Sequence, residues 1–484
     1  MDRAMLYDRI FGCWLGKNIG GTLGAPLEGH KNPAPLPLRF PSKNEPNDDL
    51  DLQLVWLDML NRKGVNLTDR DFADCWINNI TYPFDEYGVA NANIRRGLMP
   101  PQTGIFNNFF LDCMGSPIRS EIWGCICAGM PETAAYYARL DAQVDHYNEG
   151  VYGEILFSCM EASAFTGADI ISITETGLSF LPDCSEVKQS VELTLKGYRE
   201  GMPLEELRGI LVARYDRGNF SHCILNIAFT IAGLLYGETD FLKSMVMAVN
   251  LGYDTDCTGA TAGAIVGIMR GYKAIQEQYK VEMDTRILAG WGVKDIKVPA
   301  DIGEMTEQTI ALHEKLLACA ERPSLPRNFL LPYVPAANIK LQREFLVSNR
   351  FDTVEQANAA LAKGEGFIKV TYNSDTIDLA PFIVDAKPLF ISTTVRLPRP
   401  GKYRLVPTGD QPMRFWIDGQ DMWETNVVPH APSPHRHGNP KAAVYAGTEV
   451  RVMVRIDHRG VPAKFALLTS DERNFHIIEA AYHA

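Results

Sequence analysis

Two aspartates separated by one residue stand near the start of a run of small and apolar residues. The run is LGYDTDCTGATAGAIVGIMRG, at 251–271, and the two acids are Asp254 and Asp256. From Thr258 onward the apolar residues have helical spacing, which predicts a buried helix. Asp is a favoured N-cap, so the simpler interpretation is that the acids cap this helix. Two acids exceed what one cap needs, and they suit a hard cation.

A second acidic cluster, at 47–51, reads Asn-Asp-Asp-Leu-Asp and precedes another predicted helix. Its apolar positions recur at i, i+3, i+4 and i+7, in Leu52, Val55, Trp56 and Met59. Magnesium prefers oxygen ligands from carboxylates, amides and hydroxyls. Together the two clusters predict a site for one or two Mg²⁺ ions, with the candidate ligands Asn47, Asp48, Asp49, Asp254, Asp256 and Thr258.

A glycine repeat precedes both clusters and indicates how they are positioned. Gly12, Gly16, Gly20 and Gly24 recur every four residues, which on a helix forms a smooth stripe. Such a stripe lets another backbone approach closely, and the charged residues around it exclude a membrane span. We therefore expect a central helix held by its neighbours, followed by a loop that carries Glu28.

These motifs, in this order, resemble the ADP-ribosylglycohydrolase family. The glycine-rich opening at 12–29, the acidic pair at 48–49 and the closing Gly-Tyr-Asp-Thr-Asp at 252–256 carry the resemblance. The middle motifs are similar to 118–121 and 141–146, and the resemblance extends over about residues 6–320. It implies an all-α catalytic domain. The chain departs from the family pattern at Asn47, Leu50 and Cys257, where hydroxyl residues are usual, and a thiol is a poor magnesium ligand.

The resemblance also implies roles for individual residues. Asp49 and Asp256 would be catalytic, and Glu28 would be a general acid/base or a substrate contact. Candidate substrate-binding residues are Asn93, Asn107, Glu121, His146 and Tyr152. Two of these lie in a stretch of amides, aromatics and turn formers within 82–108, which we expect to be a loop that either binds sugar or merely connects elements. A lone histidine such as His146 is more often structural than catalytic.

Composition limits the class of protein and its partners. Of the 484 residues, 46% are hydrophobic and 22% are charged, which is typical of a soluble globular protein. The net charge of −12 argues against nucleic acid or an anionic membrane as a partner. The ten cysteines form no Cys-x-x-Cys pair, so buried free thiols are expected, and Cys125-x-Cys127 is interpreted as packing rather than a zinc site.

The first residues are interrupted by charges, unlike a signal peptide, and no apolar run is long enough to span a membrane. We therefore expect a cytoplasmic protein. A signal peptide that had already been removed would leave the same pattern. The oligomeric state does not follow from the sequence.

The composition changes after residue 322. We predict a helical domain at 1–322, a Pro-rich linker with a short helix near 353–362, and a β-sandwich at 363–484. Turns are predicted at Pro400-Gly401, Asp418-Gly419 and Arg459-Gly460. The phrases at 401–405 and 416–419 are similar to carbohydrate-binding sandwich modules, although the unit could equally brace the helical domain. His430, His435 and His437 could bind zinc but are more typical of a solvated loop.

The sequence thus predicts a magnesium-dependent hydrolase that acts on a glycosidic bond. The resemblance implies a small-molecule or conjugated ADP-ribosyl substrate. Two alternatives stay open: a hydrolase of another ribosyl or sugar glycoside, and a catalytically inactive relative that binds a metal or ligand.

Overall fold

Two compact units make up the chain, and each combines segments that are distant in the sequence. The first unit comprises Met1–Tyr82, Gly97–Ile105 and Phe110–Pro335, and the second comprises Pro83–Arg96, Phe106–Phe109 and Ala336–Ala484. The computed structural model describes residues 1–83, 85–336, 341–384, 387–409, 411–425, 443–458, 464–472 and 477–484. The histidines at 430, 435 and 437 and the turn predicted at 459–460 lie outside the described residues.

The first unit is helical, as the sequence predicts. The helices among the described residues of both units are α1 Arg3–Gly24, α2 Asp48–Lys63, α3 Asp69–Asn79, α4 Asp85–Arg95, α5 Gln102–Ile105, α6 Glu121–Ile126, α7 Pro131–Ala142, α8 Glu149–Ala164, α9 Ile170–Leu178, α10 Glu186–Arg199, α11 Leu204–Tyr215, α12 Cys223–Tyr236, α13 Phe241–Asn250, α14 Thr255–Arg270, α15 Tyr272–Tyr279, α16 Ile302–Leu317 and α17 Val354–Lys363. Only α4 and α17 belong to the second unit. No helix among the described residues is long and apolar enough to cross a membrane.

The buried face of α2 shows why this segment is a helix. Leu52, Val55, Trp56 and Met59 are completely buried, and they follow the spacing that predicts the helix. Charged residues at both ends of α2 complement the helix dipole: aspartates lie in its first turn, and the basic residues Arg62 and Lys63 lie in its last turn. All ten cysteines are free thiols, and all but Cys184 and Cys319 are buried.

The second unit is rich in strands, which confirms a C-terminal β domain. Its strands are β1 Arg343–Ser348, β2 Ile368–Tyr372, β3 Thr376–Asp378, β4 Leu389–Gly409, β5 Met413–Ile417, β6 Gln420–Thr425, β7 Ala443–Ile456, β8 Lys464–Asp471 and β9 Ala481–His483. They form one connected sheet in the order β2-β1-β9-β4-β7-β5-β6, and β8 joins β4 to β3. Apolar residues from most of these strands share one core, with Val395, Leu405 and Phe415 fully buried.

The turn predicted at Pro400-Gly401 is wrong, because both residues lie inside the long strand β4. This strand pairs with β7 on both sides of a register shift between Arg396 and Gly401. Proline cannot donate a ladder hydrogen bond, and at this register shift residues 397–400 of β4 lie opposite only residue 448 of β7, so Pro400 is outside the ladder with β7 while the strand continues. The predicted turn at Asp418-Gly419 is confirmed: these residues join β5 to β6 with φ of 48° and 82°.

Two further segments differ from the expectations. The stretch 85–95, expected to be a loop, is the helix α4, whose residues from Glu86 to Asn93 are buried. The burial of these residues outweighs the weak helix propensity of the glycine and asparagines in α4. The range interpreted as a linker also contains the strand β1, which precedes the predicted short helix. That helix, α17, begins at a capping box formed by Thr353 and Gln356.

Candidate functional site

The helices α1 and α14 pack backbone against backbone along the glycine stripe. A Cβ added to Gly16 would lie 2.0 Å from the carbonyl oxygen of Gly263, and one added to Gly24 would lie 2.1 Å from that of Thr255. Because Gly12 faces Gly267 while Gly24 faces Thr255, the two helices run in opposite directions. The end of α1 therefore meets the beginning of α14, where the acids stand.

Backbone hydrogen bonds fix the loop after α1 beside these acids. Gly29 N donates to Tyr253 O at 2.9 Å, and Tyr253 N donates to His30 O at 2.9 Å. Tyr253 has a φ of 69°, so the chain turns sharply just before Asp254. This pairing carries Glu28, which is exposed, to the same end of α14.

The first acidic cluster is positioned by Asn47. Its Oδ1 accepts a hydrogen bond of 2.7 Å from Asp49 N, so Asn47 is the N-cap of α2. A Cβ on Gly21 would lie 2.4 Å from Asn47 Nδ2, so α1 makes room for this side chain. Asp48 and Asp49 then occupy the first turn of α2, half-buried and buried respectively.

Helix capping does not account for the two aspartates at the start of α14, of which Asp254 precedes the helix and Asp256 lies in its first turn. Asp254 is the N-cap residue of α14, but its side chain makes no capping hydrogen bond. Its backbone N–H instead donates to Asn226 Oδ1 at 3.1 Å. Asp254 and Asp256 are only 4% and 6% exposed, so two carboxylates are buried without serving as caps.

The acids converge into two sets of donor atoms that could hold a metal ion. Asp49, Asp256 and Cys257 form one set, and Glu28, Asp254 and Asp256 form the other. Within each set all donor atoms lie within 4.8 Å of one another. The two acidic clusters of the sequence thus meet at Asp256, which belongs to both sets.

Two carboxylate oxygens in this centre are buried and lack a hydrogen-bond partner among the described residues: Asp49 Oδ2 and Asp256 Oδ1. Buried polar atoms are nearly always paired, so each such oxygen requires an explanation. Burial raises the pKa of Asp256, and the charges of Asp49 and Glu28 raise it further. Burial likewise raises the pKa of Asp254, assisted by Asp256 and Glu28. Converging carboxylates of this kind fit a hard divalent cation, which would relieve both the desolvation and the repulsion.

A buried lysine that the sequence analysis missed lies next to the centre. Lys17 Nζ is 3.4 Å from Asp49 Oδ1, 2.9 Å from Glu121 Oε1 and 2.6 Å from Ile118 O. Burial lowers the pKa of Lys17, but Glu121 and Asp49 more than offset this, and the pKa is raised overall. The sequence feature that could have identified Lys17 is its position, as a charged residue, inside the glycine-rich helix α1.

Glu121 belongs to this network rather than to an open surface. It is fully buried, and Gln53 Nε2 donates to its Oε2. Gln53 Oε1 in turn accepts from Ile122 N at 2.9 Å. The sequence analysis also missed Gln53. The feature that could have identified it is a polar amide among the apolar residues of α2.

His146 lies in a separate buried ion-pair network. Its Nδ1 is 2.8 Å from Asp145 Oδ1, and the guanidinium of Arg119 also contacts Asp145. Arg119 Nε donates to Asp141 Oδ1 at 2.8 Å. Burial lowers the pKa of His146, only partly opposed by Asp145, so the ring is neutral near pH 7.

Of the remaining candidate residues, Thr258 and Tyr152 lie in the first unit. Thr258 is buried in the first turn of α14 and donates to Thr255 O at 3.2 Å. Tyr152 is buried, and its hydroxyl accepts from Leu331 N at 3.1 Å.

Asn93 and Asn107 belong to the second unit. Asn93 Nδ2 donates to Phe106 O at 2.6 Å, and Asn107 Oδ1 accepts from Ser374 Oγ at 3.1 Å. The proposed binding roles of these residues stay predictions.

Asp51 shows that an acid in the cluster can be structural. Its Oδ2 accepts from the hydroxyl of Tyr82, and its Oδ1 accepts from Gly290 N at 2.8 Å. Burial raises the pKa of Asp51 to about 6, although these hydrogen bonds oppose the shift. Asp51 therefore anchors the 290 segment to α2.

Comparison with known proteins identifies the class. The sequence model of ADP-ribosylglycohydrolases matches residues 2–319. The chain therefore belongs to the ADP-ribosylglycohydrolase family, and this membership supports a glycohydrolase-type function. A solved structure described as "ADP-ribosylglycohydrolase-related protein complex" is similar at 20% sequence identity and a TM-score of 0.42, over 64% of this chain and 99% of that chain. No curated protein matches the chain.

Proposed function

We propose that the chain is a magnesium-dependent hydrolase that cleaves the glycosidic bond of an ADP-ribosyl or related ribosyl conjugate. One observation carries the proposal: Asp49 Oδ2 and Asp256 Oδ1 are buried, receive no hydrogen bond from the part of the chain that the structure describes, and lie within a group of converging acids. Family membership supplies the reaction class.

The donor chemistry of the site supports magnesium. Hard divalent ions take oxygen ligands, and Glu28, Asp254 and Asp256 offer three carboxylates in close proximity. Without a cation, burial and mutual repulsion penalise these ionised carboxylates. The ion would be held by Glu28, Asp254 and Asp256, and when bound it supplies Lewis acidity and binds sugar hydroxyls.

The side chains of the chain divide the remaining work. Asp49 is held on one side by Lys17, which leaves its Oδ2 free to accept a proton from an attacking water. Asp256 belongs to both donor sets and therefore lies close to both Asp49 and Asp254. Groups held in this way react faster, because the protein has already placed them in the orientation that the reaction requires.

The second candidate function is hydrolysis of a different ribosyl or sugar glycoside. It is favoured by Cys257, which contributes a thiol to a donor set that would otherwise contain only oxygens. Thiols are soft ligands, so this set differs chemically from one completed by a hydroxyl. The reaction type is the same in both candidates.

The test is release of free ADP-ribose from ADP-ribosylated arginine, serine and O-acetyl substrates, with and without Mg²⁺. Asp49→Asn and Asp256→Asn are expected to abolish release. The matched control is Asp183→Asn, which neutralises an exposed carboxylate on the surface of the same unit. Stabilisation by Mg²⁺ without release would refute the ADP-ribosyl substrate, and simple glycosides would then be assayed.

A further inference from the structure

The two donor sets of the centre differ in their chemistry. The set of Glu28, Asp254 and Asp256 contains three carboxylates. Neither of its two aspartates forms an ion pair with a lysine or arginine within the described part of the chain. Asp256 Oδ1 is buried and has no hydrogen-bond partner there, so this oxygen of Asp256 can accept a hard cation.

The other set is compromised at two of its three donors. Cys257 offers a sulfur, which hard ions such as Mg²⁺ and Mn²⁺ bind poorly. Asp49 Oδ1 already lies 3.4 Å from the ammonium of Lys17, and both side chains are buried. The ammonium of Lys17 therefore places a permanent positive charge beside this second donor set.

Lys17 is held rigidly in that position. Its Nζ donates to Ile118 O at 2.6 Å and pairs with Glu121 Oε1 at 2.9 Å. The side chain is 0% exposed, so water cannot replace it. A buried ammonium with three oxygen partners is in effect a fixed cation, and a divalent ion beside it would experience repulsion at low dielectric.

We propose that this centre binds one hard divalent cation, through Glu28, Asp254 and Asp256, and that Lys17 holds Asp49 beside it as a carboxylate that does not ligate the ion. This inference rests on the proposed function and deepens it. Lys17 is a positioning residue: it fixes Asp49 Oδ1, so that Asp49 Oδ2 is presented to the water that attacks the substrate. The cation and the proton acceptor are then separate groups.

The test measures how many Mn²⁺ ions the full-length, metal-free protein binds, by calorimetric titration and by electron paramagnetic resonance. The expected result is one ion per chain with the spectrum of an isolated Mn²⁺. Two ions per chain, or an exchange-coupled spectrum, would overturn the inference while leaving the proposed function intact. One ion without release of ADP-ribose would support the inference and refute the proposed substrate. No binding by the folded protein would overturn both.

A matched pair of variants separates the ligand from the positioned acid. Asp254→Asn is expected to weaken Mn²⁺ binding at least fiftyfold, because it removes a ligand. Asp49→Asn is expected to weaken it less than fivefold, because it removes only a neighbouring charge. Equal losses in the two variants would contradict the assignment.

Lys17→Ala tests the fixed cation directly. With the ammonium removed, Asp49 and Glu121 lack a positive partner, and the double variant Lys17→Ala/Cys257→Ser, in which a hydroxyl also replaces the thiol, is expected to bind a second Mn²⁺ ion. A folded double variant that still binds one ion would refute this role of Lys17. Should the double variant fail to fold, the comparison of Asp49→Asn with Asp254→Asn decides alone.

Discussion

Gly20 and Gly259 face each other across α1 and α14 so closely that a Cβ on Gly20 would lie 2.1 Å from the carbonyl oxygen of Gly259. This contact sets the spacing of the two helices whose ends carry the acids. The rigid backbone on both sides leaves no flexible group that could yield.

The first prediction is that Gly20→Ala destabilises the protein by about 3 kcal/mol or more, the upper end of the cost of overpacking. Urea unfolding of the variant measures the change. The matched control is Gly209→Ala in α11, where an added Cβ would have no described atom within 4 Å. Because Ala has the higher helix propensity, this control is expected to gain about 0.5–1 kcal/mol. Equal effects in the two variants would contradict the close packing.

The second prediction concerns Lys17. Replacing it by Met leaves Asp49 and Glu121 buried without their cation, and breaking a buried pair in this way costs about 3–5 kcal/mol. The control is Lys243→Met, which breaks an exposed pair with Glu238 and is expected to cost no more than about 1 kcal/mol. Chemical denaturation of both variants compares the two losses. A cost for Lys17→Met as small as that of the control would show that the buried pairs contribute little.

The third prediction is that Asp256→Asn is more stable than the wild type without metal and less stable than the wild type when Mg²⁺ is present. Without metal, the variant is expected to have a higher Tm than the wild type, because one buried carboxylate charge is removed from the centre. A saturating Mg²⁺ concentration should raise the Tm of the wild type and leave that of the variant unchanged. Equal magnesium stabilisation of both proteins in differential scanning calorimetry would exclude Asp256 from the site.

The fourth prediction uses Asp112, which lies away from the acidic centre. Burial, followed by the charge of Glu149, raises the pKa of Asp112 to about 7 in the folded protein. The unfolded chain has the lower pKa, so the folded state binds the extra proton between pH 4 and 7. Stability therefore falls as the pH rises through this window, by up to about 1.4 kcal/mol per pH unit from this group.

Asp112→Asn is expected to remove that contribution, so the variant gains stability relative to the wild type as the pH increases from 4 to 7. Unfolding free energies measured across the window provide the check. Parallel pH profiles for the two proteins would mean that Asp112 has an ordinary pKa in the folded state.

The packing of α1 on α14 could be predicted in part from the sequence. A glycine at every fourth position predicts a helix held closely by its neighbours, and the small residues after Thr258 predict a second such helix, but these patterns alone do not pair the two. The acids were recognisable because each cluster directly precedes an apolar helix. The order of these motifs also indicated the family, which the comparison with known sequences confirms.

The pairing of Lys17 with Asp49 and Glu121 could not be predicted in the same way. These three residues are distant in the sequence, and a lysine in a helix is ordinarily solvated. Its burial depends on Ile118 O and Glu121, which α1 meets only in the folded protein.

The strand β4 presented a different difficulty. Pro400-Gly401 has turn chemistry locally, but pairing with β7 on both sides continues the strand through it. The helix α4 is a similar case, because it belongs to one unit with Phe106–Phe109 and Ala336–Ala484, most of which is distant in the sequence. The local propensity of a segment carries no information about partners that are distant in the sequence.

The most direct test of the central claim is magnesium-dependent release of ADP-ribose by the wild type, Asp256→Asn and the exposed control Asp183→Asn. Release by the wild type and the control, absent without Mg²⁺ and reduced at least a hundredfold in Asp256→Asn, is the predicted result. Undiminished release by Asp256→Asn, or release that is independent of divalent ions, would contradict the claim that these acids form the catalytic metal centre.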